Sequence, residues 1–261
     1  MMRHTTRRLA ALACLALASA LPAAQATDLT VVSSGGFAEA YKRLAARYEA
    51  ASGNKLTILW GPSMGNTANT IPKRLERGEP IDVVIMVGEA LDQLMKTGRL
   101  VPASKVVLAD SMIACAVPKG DPKPDISTVE NLTKAFLNAR SVAYSDSASG
   151  EYIKRTLMKR LGIEAAMEGK AAQIPATPVG EIIAERKAAF GCQQLAELKP
   201  VHDIDIVGLM PREVNLVTEY SAAAVTASTK SAAAADFVRF LASRESAAVL
   251  EDTGLLPRTA R

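Results

Sequence analysis

Short apolar runs alternate with segments whose apolar residues recur every three to four positions, and this alternation runs through most of the 261 residues. Leu29–Ser33 predicts a strand. Phe37, Tyr41, Leu44, Tyr48 and Ala51 then share one face of a helix that Gly53 stops. Asn54–Trp60 predicts a second strand, followed by a Gly/Ser/Asn loop and a helix with Pro72 in its first turn. Asp82–Val87 and Glu89–Thr97 supply the next strand and helix. Strand and helix alternating at this spacing predict an α/β fold, a parallel sheet with helices on its faces.

The second half continues the pattern. Strands are predicted at Met112–Val117, Ser141–Tyr144, Gln173–Pro175, Ala189–Gln193, Ile204–Val207 and Val214–Tyr220. Helices are predicted at Ser149–Leu161, Val179–Lys187 and Ala232–Leu250. Ser127 reads as an N-cap, with Glu130 three residues later completing a capping box.

Residues 1–26 stand apart from this pattern. Arg3, Arg7 and Arg8 precede an apolar stretch from Leu9 to Leu21, and Ala24-Gln25-Ala26 has the small-x-small form of a signal-peptidase site. The chain is therefore expected to be exported to the periplasm and to start near Thr27. Without Arg3, Arg7 and Arg8 the balance is 28 Lys/Arg against 27 Asp/Glu, which gives no electrostatic basis for nucleic-acid or membrane-surface binding. His202 and two cysteines remain after the leader. That is too few for a His/Cys metal cluster, so no metal and no cofactor is expected. Cys115 and Cys192 each sit in an apolar run and read as buried small hydrophobes, with one disulfide as the alternative.

Three turns are crowded with Gly and hydroxyl residues, each between a strand and a helix. They are Ser33-Ser34-Gly35-Gly36, Gly61–Thr67 and Ser145–Gly150. Such turns lie at the carboxyl ends of strands in open α/β sheets, where ligands bind, and their unpaired N–H groups attract anions. A fourth segment, Pro175-Ala176-Thr177-Pro178-Val179-Gly180-Glu181, places Glu181 in the first turn of a helix. No Gly-x-Ser-x-Gly elbow, Walker motif or dinucleotide fingerprint is present.

The strand into Ser34, the strand reaching Ser63, the run Arg77-Gly78-Glu79-Pro80-Ile81-Asp82-Val83-Val84-Ile85 and the ending Phe237–Ser243 with Gly254-Leu255-Leu256-Pro257 together resemble the type 2 periplasmic binding fold, in its molybdate-binding branch. The resemblance covers nearly all of residues 28–257. It implies two α/β lobes joined by a hinge, with a ligand enclosed between them. Residues 28–110 and 205–257 are expected to form one lobe and residues 111–204 the other. It further implies that Ser34 and Ser63 match the two serines of that branch and Val179 a valine. Ser149 falls where an alanine is expected, and Gln194 where a tyrosine is expected. The loop from Ser63 to Arg74 is longer than in that branch.

Pro122–Glu130, Ala143–Gly150 and Pro178-Val179-Gly180-Glu181 resemble a subgroup that includes exported bacterial aconitate isomerases. That resemblance implies interconversion of cis- and trans-aconitate by a 1,3-proton shift needing no cofactor. Ser34, Ser63, Thr67 and Ser149 would then supply donors and Arg74 a carboxylate clamp, with Val179 and Gln194 completing the binding set. Glu181 is the expected base, with Glu151 and Lys154 behind it. The competing expectation is a monomeric receptor that delivers molybdate, tungstate or a small carboxylate to a membrane permease.

Overall fold

A computed structural model describes residues 26–258 apart from Asn66 and Ala176, so the expected leader lies almost wholly outside the described residues. The chain opens with β1 (Asp28–Ser33), α1 (Ala38–Ser52), β2 (Lys55–Trp60), α2 (Ile71–Glu76), β3 (Val83–Val87) and α3 (Gly88–Met95). Gly53 ends α1 with a positive φ of 76°, the left-handed cap that its position after the periodic run predicts. β1 pairs in parallel with both β2 and β3.

The long strand β4 (Val106–Pro118) then carries the chain from one half of the molecule to the other. Beyond it come α4 (Val129–Asn138), β5 (Val142–Ser145), α5 (Ala148–Tyr152), α6 (Met158–Arg160), α7 (Glu164–Met167) and β6 (Ala171–Ile174). A π turn, Ile153–Leu157, joins α5 to α6. Next are α8 (Val179–Ala184), β7 (Phe190–Gln194), α9 (Leu195–Leu198) and β8 (Ile204–Leu209). β9 (Val217–Ala224), α10 (Ser231–Leu241), α11 (Arg244–Asp252) and β10 (Leu256–Pro257) close the chain. The α4 cap differs from expectation. Thr128 rather than Ser127 accepts the Asn131 N–H, while Asp125 accepts the Ser127 N–H.

Hydrogen bonding links the strands through β4. Residues Val106–Met112 pair antiparallel with β9, which also pairs with β3, whereas Ile113–Pro118 pair with β7 and β8. The sheet is thus mixed rather than wholly parallel. β5 pairs in parallel with β6 and β7 to complete the second half. β8 sits with that second half, so residues 205–209 lie across the molecule from the lobe that a boundary at 205 assigns them to. The chain returns through residues 210–216 to β9.

Each half has its own apolar packing. Phe37, Tyr41, Leu44 and Tyr48 of the first half meet Phe237, Val238 and Leu241, with the Tyr48 and Phe237 rings 4.8 Å apart. Phe136 and Phe190 of the second half pack edge to face at 5.4 Å beside Ile113, Leu157 and Met167. Cys115 and Cys192 occupy directly opposed positions on β4 and β7 and form a disulfide. The expectation of two separate buried thiols is therefore replaced: cross-strand register brings the sulfurs together, a constraint invisible in two isolated apolar runs. Their separation of 77 residues makes the cross-link worth about 4 kcal/mol in the chain-entropy picture.

Candidate functional site

The hydroxyl-rich turns after β1, β2 and β5 converge on one cleft of about 610 Å³ between the two halves. On the first half, β1 ends in Ser34, whose N–H donates to the Ile85 carbonyl at 3.0 Å. The Ser34 hydroxyl is buried and has no partner among the described residues, so it is not consumed in capping the turn that follows it. An unpaired buried hydroxyl costs about 1–3 kcal/mol unless something else accepts or donates there. The Ser63 oxygen accepts the Val87 N–H at 3.0 Å and keeps its own proton to donate. Thr67 lines the more open part and donates to the Asn69 side chain at 2.8 Å.

The glycines of the first turn make room for two groups from distant elements. A Cβ at Gly36 would collide with the Tyr220 hydroxyl, and one at Gly35 would stand 3.1 Å from Glu197 Oε1. Gly36 is thus required by close approach, since its backbone needs no unusual torsion. Tyr220, on β9, is buried, and its hydroxyl is held strongly in the protonated form by burial and then by the neighbouring Glu197 charge.

On the second half, the hydroxyls of Ser145, Ser147 and Ser149 form a triangle with sides of 2.7, 3.2 and 3.4 Å. Gly150 lets the start of α5 pack on the Ser145 carbonyl, where a side chain would not fit. Gln194, at the end of β7, accepts from Ser111 Oγ at 2.8 Å and donates to Thr218 Oγ1 at 2.9 Å. It lines the cleft with its amide spent tying β7 to β4 and β9. Glu151 accepts from Gln173 Nε2 at 2.7 Å and from Arg155 Nε at 2.5 Å, and these two bonds hold its carboxyl below the usual range.

Four expected site residues lie elsewhere. Glu181 is exposed on α8 and does not line the cleft, because α8 turns its buried face, Val179, Gly180 and Ile183, onto the sheet. Val179 is wholly buried in that packing, and its N–H donates to Gln193 Oε1 at 2.8 Å. Lys154 reaches out to Gln173 Oε1 at 3.2 Å. Arg74 is occupied by Glu79 and by the carbonyls of Asn69 and Trp60, so it braces the loop after β2 instead of facing a ligand.

Sequence reasoning missed the acid that the cleft does contain. Glu197 sits in the short helix α9, which follows β7 without a loop. Burial pushes its carboxyl up to about 7, the charge of Asp146 pushes the same way, and Gln193 pulls it partly back. The carboxyl end of β7 was readable as a ligand-facing position. Leu195–Leu198 is too short to register as a helix by periodicity, and that hid the residue. Asp146 and Arg155 line the same cleft.

Similarity to known proteins agrees with this architecture. The family described as bacterial extracellular solute-binding protein matches residues 29–256. A Pseudomonas sp. protein named aconitate isomerase is 48% identical over 249 residues, covering 95% of each chain. Among solved structures, the substrate-binding domain of a putative molybdenum ABC transporter from Clostridium difficile superposes with a TM-score of 0.69 at 19% identity. That match covers 88% of this chain and 99% of the other. The periplasmic molybdate-binding protein of Azotobacter vinelandii gives 0.70 at 17% identity, covering 87% and 98%. At such identities these two structures speak for the fold, a two-lobed solute-binding architecture. With its family matched from β1 to β10, the chain belongs to the bacterial extracellular solute-binding proteins.

Proposed function

We propose that the chain is an isomerase that interconverts cis- and trans-aconitate in the cleft between its lobes. The observation that carries this reading is Glu197, a carboxyl raised to about 7 at a site walled by hydroxyl donors, in a chain 48% identical to a protein named aconitate isomerase. A receptor for a compact oxyanion gains nothing from a desolvated carboxyl in its ligand site, because its negative form repels the cargo. An acid–base catalyst gains a group present in both protonation states near neutral pH.

The reaction is a 1,3-proton shift. Glu197 removes one proton from the methylene carbon, and the electron pair spreads over the three-carbon allyl unit and its two terminal carboxylates. The proton returns to the other terminal carbon and the double bond moves by one position. Atoms and charge balance without a second reactant. The Ser34 hydroxyl, with no protein partner, and the Tyr220 hydroxyl, kept protonated by burial, are the donors for the charge that develops. Ser63 and Ser149 hold the ligand's remaining oxygens, and Thr67 closes the more open side.

In this reading the protein works in the periplasm after loss of residues 1–26, as a monomer. Its lobes are residues 28–112 with 217–257, and residues 113–216. The test is direct: purified protein is mixed with cis-aconitate and the trans isomer is followed by chromatography. Conversion accompanied by solvent-deuterium exchange at the methylene supports the proposal. Tight molybdate binding with no conversion would replace it by a transport receptor.

A further inference from the structure

We propose that Arg155 is the residue that selects a tricarboxylate, by binding the carboxylate on the ligand's central carbon; this rests on the reading of the cleft as an isomerase site. Among the described residues that line the cleft, Arg155 is the one with a permanent positive charge. Asp146, Glu151 and Glu197 line it as well. A trivalent anion entering this cleft therefore meets more negative than positive side chains. Hydroxyls and backbone amides supply donors without net charge, so the guanidinium is the group that offsets the charge excess.

The geometry presents Arg155 for this role. It sits in the π turn Ile153–Leu157, next to α5. Its Nε donates to Glu151 Oε2, and Glu151 is itself anchored by Gln173 on β6. That anchoring fixes the base of the guanidinium. Its two Nη groups make no hydrogen bond among the described residues, and the side chain is 77% exposed. A guanidinium held at Nε and open at both Nη atoms is set up for a two-pronged carboxylate contact.

The chemistry of the allyl anion says which carboxylate this is. Negative charge in a three-carbon allyl unit resides on the two end carbons, and the central carbon is a node. The two terminal carboxylates share the developing charge, and the central one is a spectator. Glu197 has to reach both end carbons, so those lie against it together with Ser34 and Tyr220. The central carboxylate bisects the unit and points away from both, which leaves it for Arg155, the exposed cation of the same lining. A contact to a spectator group is equally strong in ground and transition states, so it acts on KM rather than kcat.

The test separates recognition from turnover by using two saturated probes that cannot isomerise. Tricarballylate carries the central carboxylate and glutarate lacks it. Calorimetric titration of the wild-type protein should show tricarballylate binding at least about tenfold tighter than glutarate. Arg155→Met should abolish the preference, Arg155→Lys should restore part of it, and Lys159→Met, which removes an exposed charge of the same helical stretch outside the cleft, should leave it intact. With cis-aconitate as substrate, Arg155→Met should raise KM by roughly 10–100-fold and change kcat by less than about threefold.

An unchanged preference in Arg155→Met, an equal loss in Lys159→Met, or a fall in kcat at constant KM would each overturn the assignment. If the wild-type protein fails to isomerise aconitate yet shows the Arg155-dependent preference, the isomerase reading falls and the recognition role stands. An active enzyme without the preference gives the converse.

Discussion

Glu151 and Glu197 line one cleft in opposite surroundings. Glu151 is 39% exposed and clasped by Gln173 and Arg155, so its charge is welcome and its carboxyl titrates below the usual range. Glu197 is packed among Gly35, Gln193 and Tyr220 with Asp146 nearby, and its carboxyl rises to about 7. The same side chain is therefore a fixed anion in one place and, in the proposed reaction, the proton carrier in the other. Environments that push two carboxyls apart in this way divide structural from chemical work. The comparison also explains why Glu151, an expected base, is poorly suited to proton abstraction. A carboxylate satisfied by two donors is a weak proton acceptor.

The largest effect expected from breaking this contrast is in Glu197→Gln. It keeps the shape and removes the proton acceptor, so aconitate should still bind while turnover falls by roughly 10²–10⁴-fold. Stopped assays on the variant with calorimetric binding alongside would show the split. A variant that isomerises at the wild-type rate would move the base elsewhere.

The titration of Glu197 sharpens the same contrast. Below about 7 the wild-type kcat/KM should fall about tenfold per pH unit, because the base becomes protonated in the free enzyme. Stability follows the opposite direction. A carboxyl raised from 4.5 to about 7 stabilises the folded state fully below 4.5, and that contribution is lost as pH rises through 7. Thermal melts should therefore show the wild type losing ground to Glu197→Gln between pH 4.5 and pH 8. A constant difference across that range would contradict the buried position of the acid.

The smallest effect is expected at Glu181, which lies outside the cleft. Glu181→Gln should change kcat/KM by less than about twofold, as ordinary surface substitutions do. A loss comparable to that of Glu197→Gln would reverse the comparison and return the role to α8.

Most elements were legible because their signals are local. β1, α1 and β2 follow from Leu29–Ser33, the Phe37-to-Ala51 periodicity and Gly53, and the structure places them within a residue or two. The continuous helix expected from Ala232 to Leu250 is two helices, α10 and α11, broken at Ala242 and Ser243. The unbroken apolar period there concealed a change of direction. β4 was seen only in its second half, since the pairing of Val106–Ser111 with β9 depends on residues over a hundred positions away.

Residue order alone determined the alternation of strands and helices and the positions of the hydroxyl turns. Ser34, Ser63, Thr67, Ser149 and Glu151, from the hydroxyl turns and the residue after them, and Gln194, from the family resemblance, do line the cleft. Tertiary structure decided that Glu197 rather than Glu181 and Arg155 rather than Arg74 line the cleft, and that Cys115 meets Cys192. Glu181 and Glu197 are both first-turn acids of a helix that follows a strand, and residue type gives neither of them the higher proton affinity. What separates them is the rotation of each helix on the sheet, the packing of Glu197 against Gly35 and Tyr220, and the nearby charge of Asp146, three groups brought in from other parts of the chain. Proton affinity depends on those distant neighbours, so it exists only once the lobes have folded.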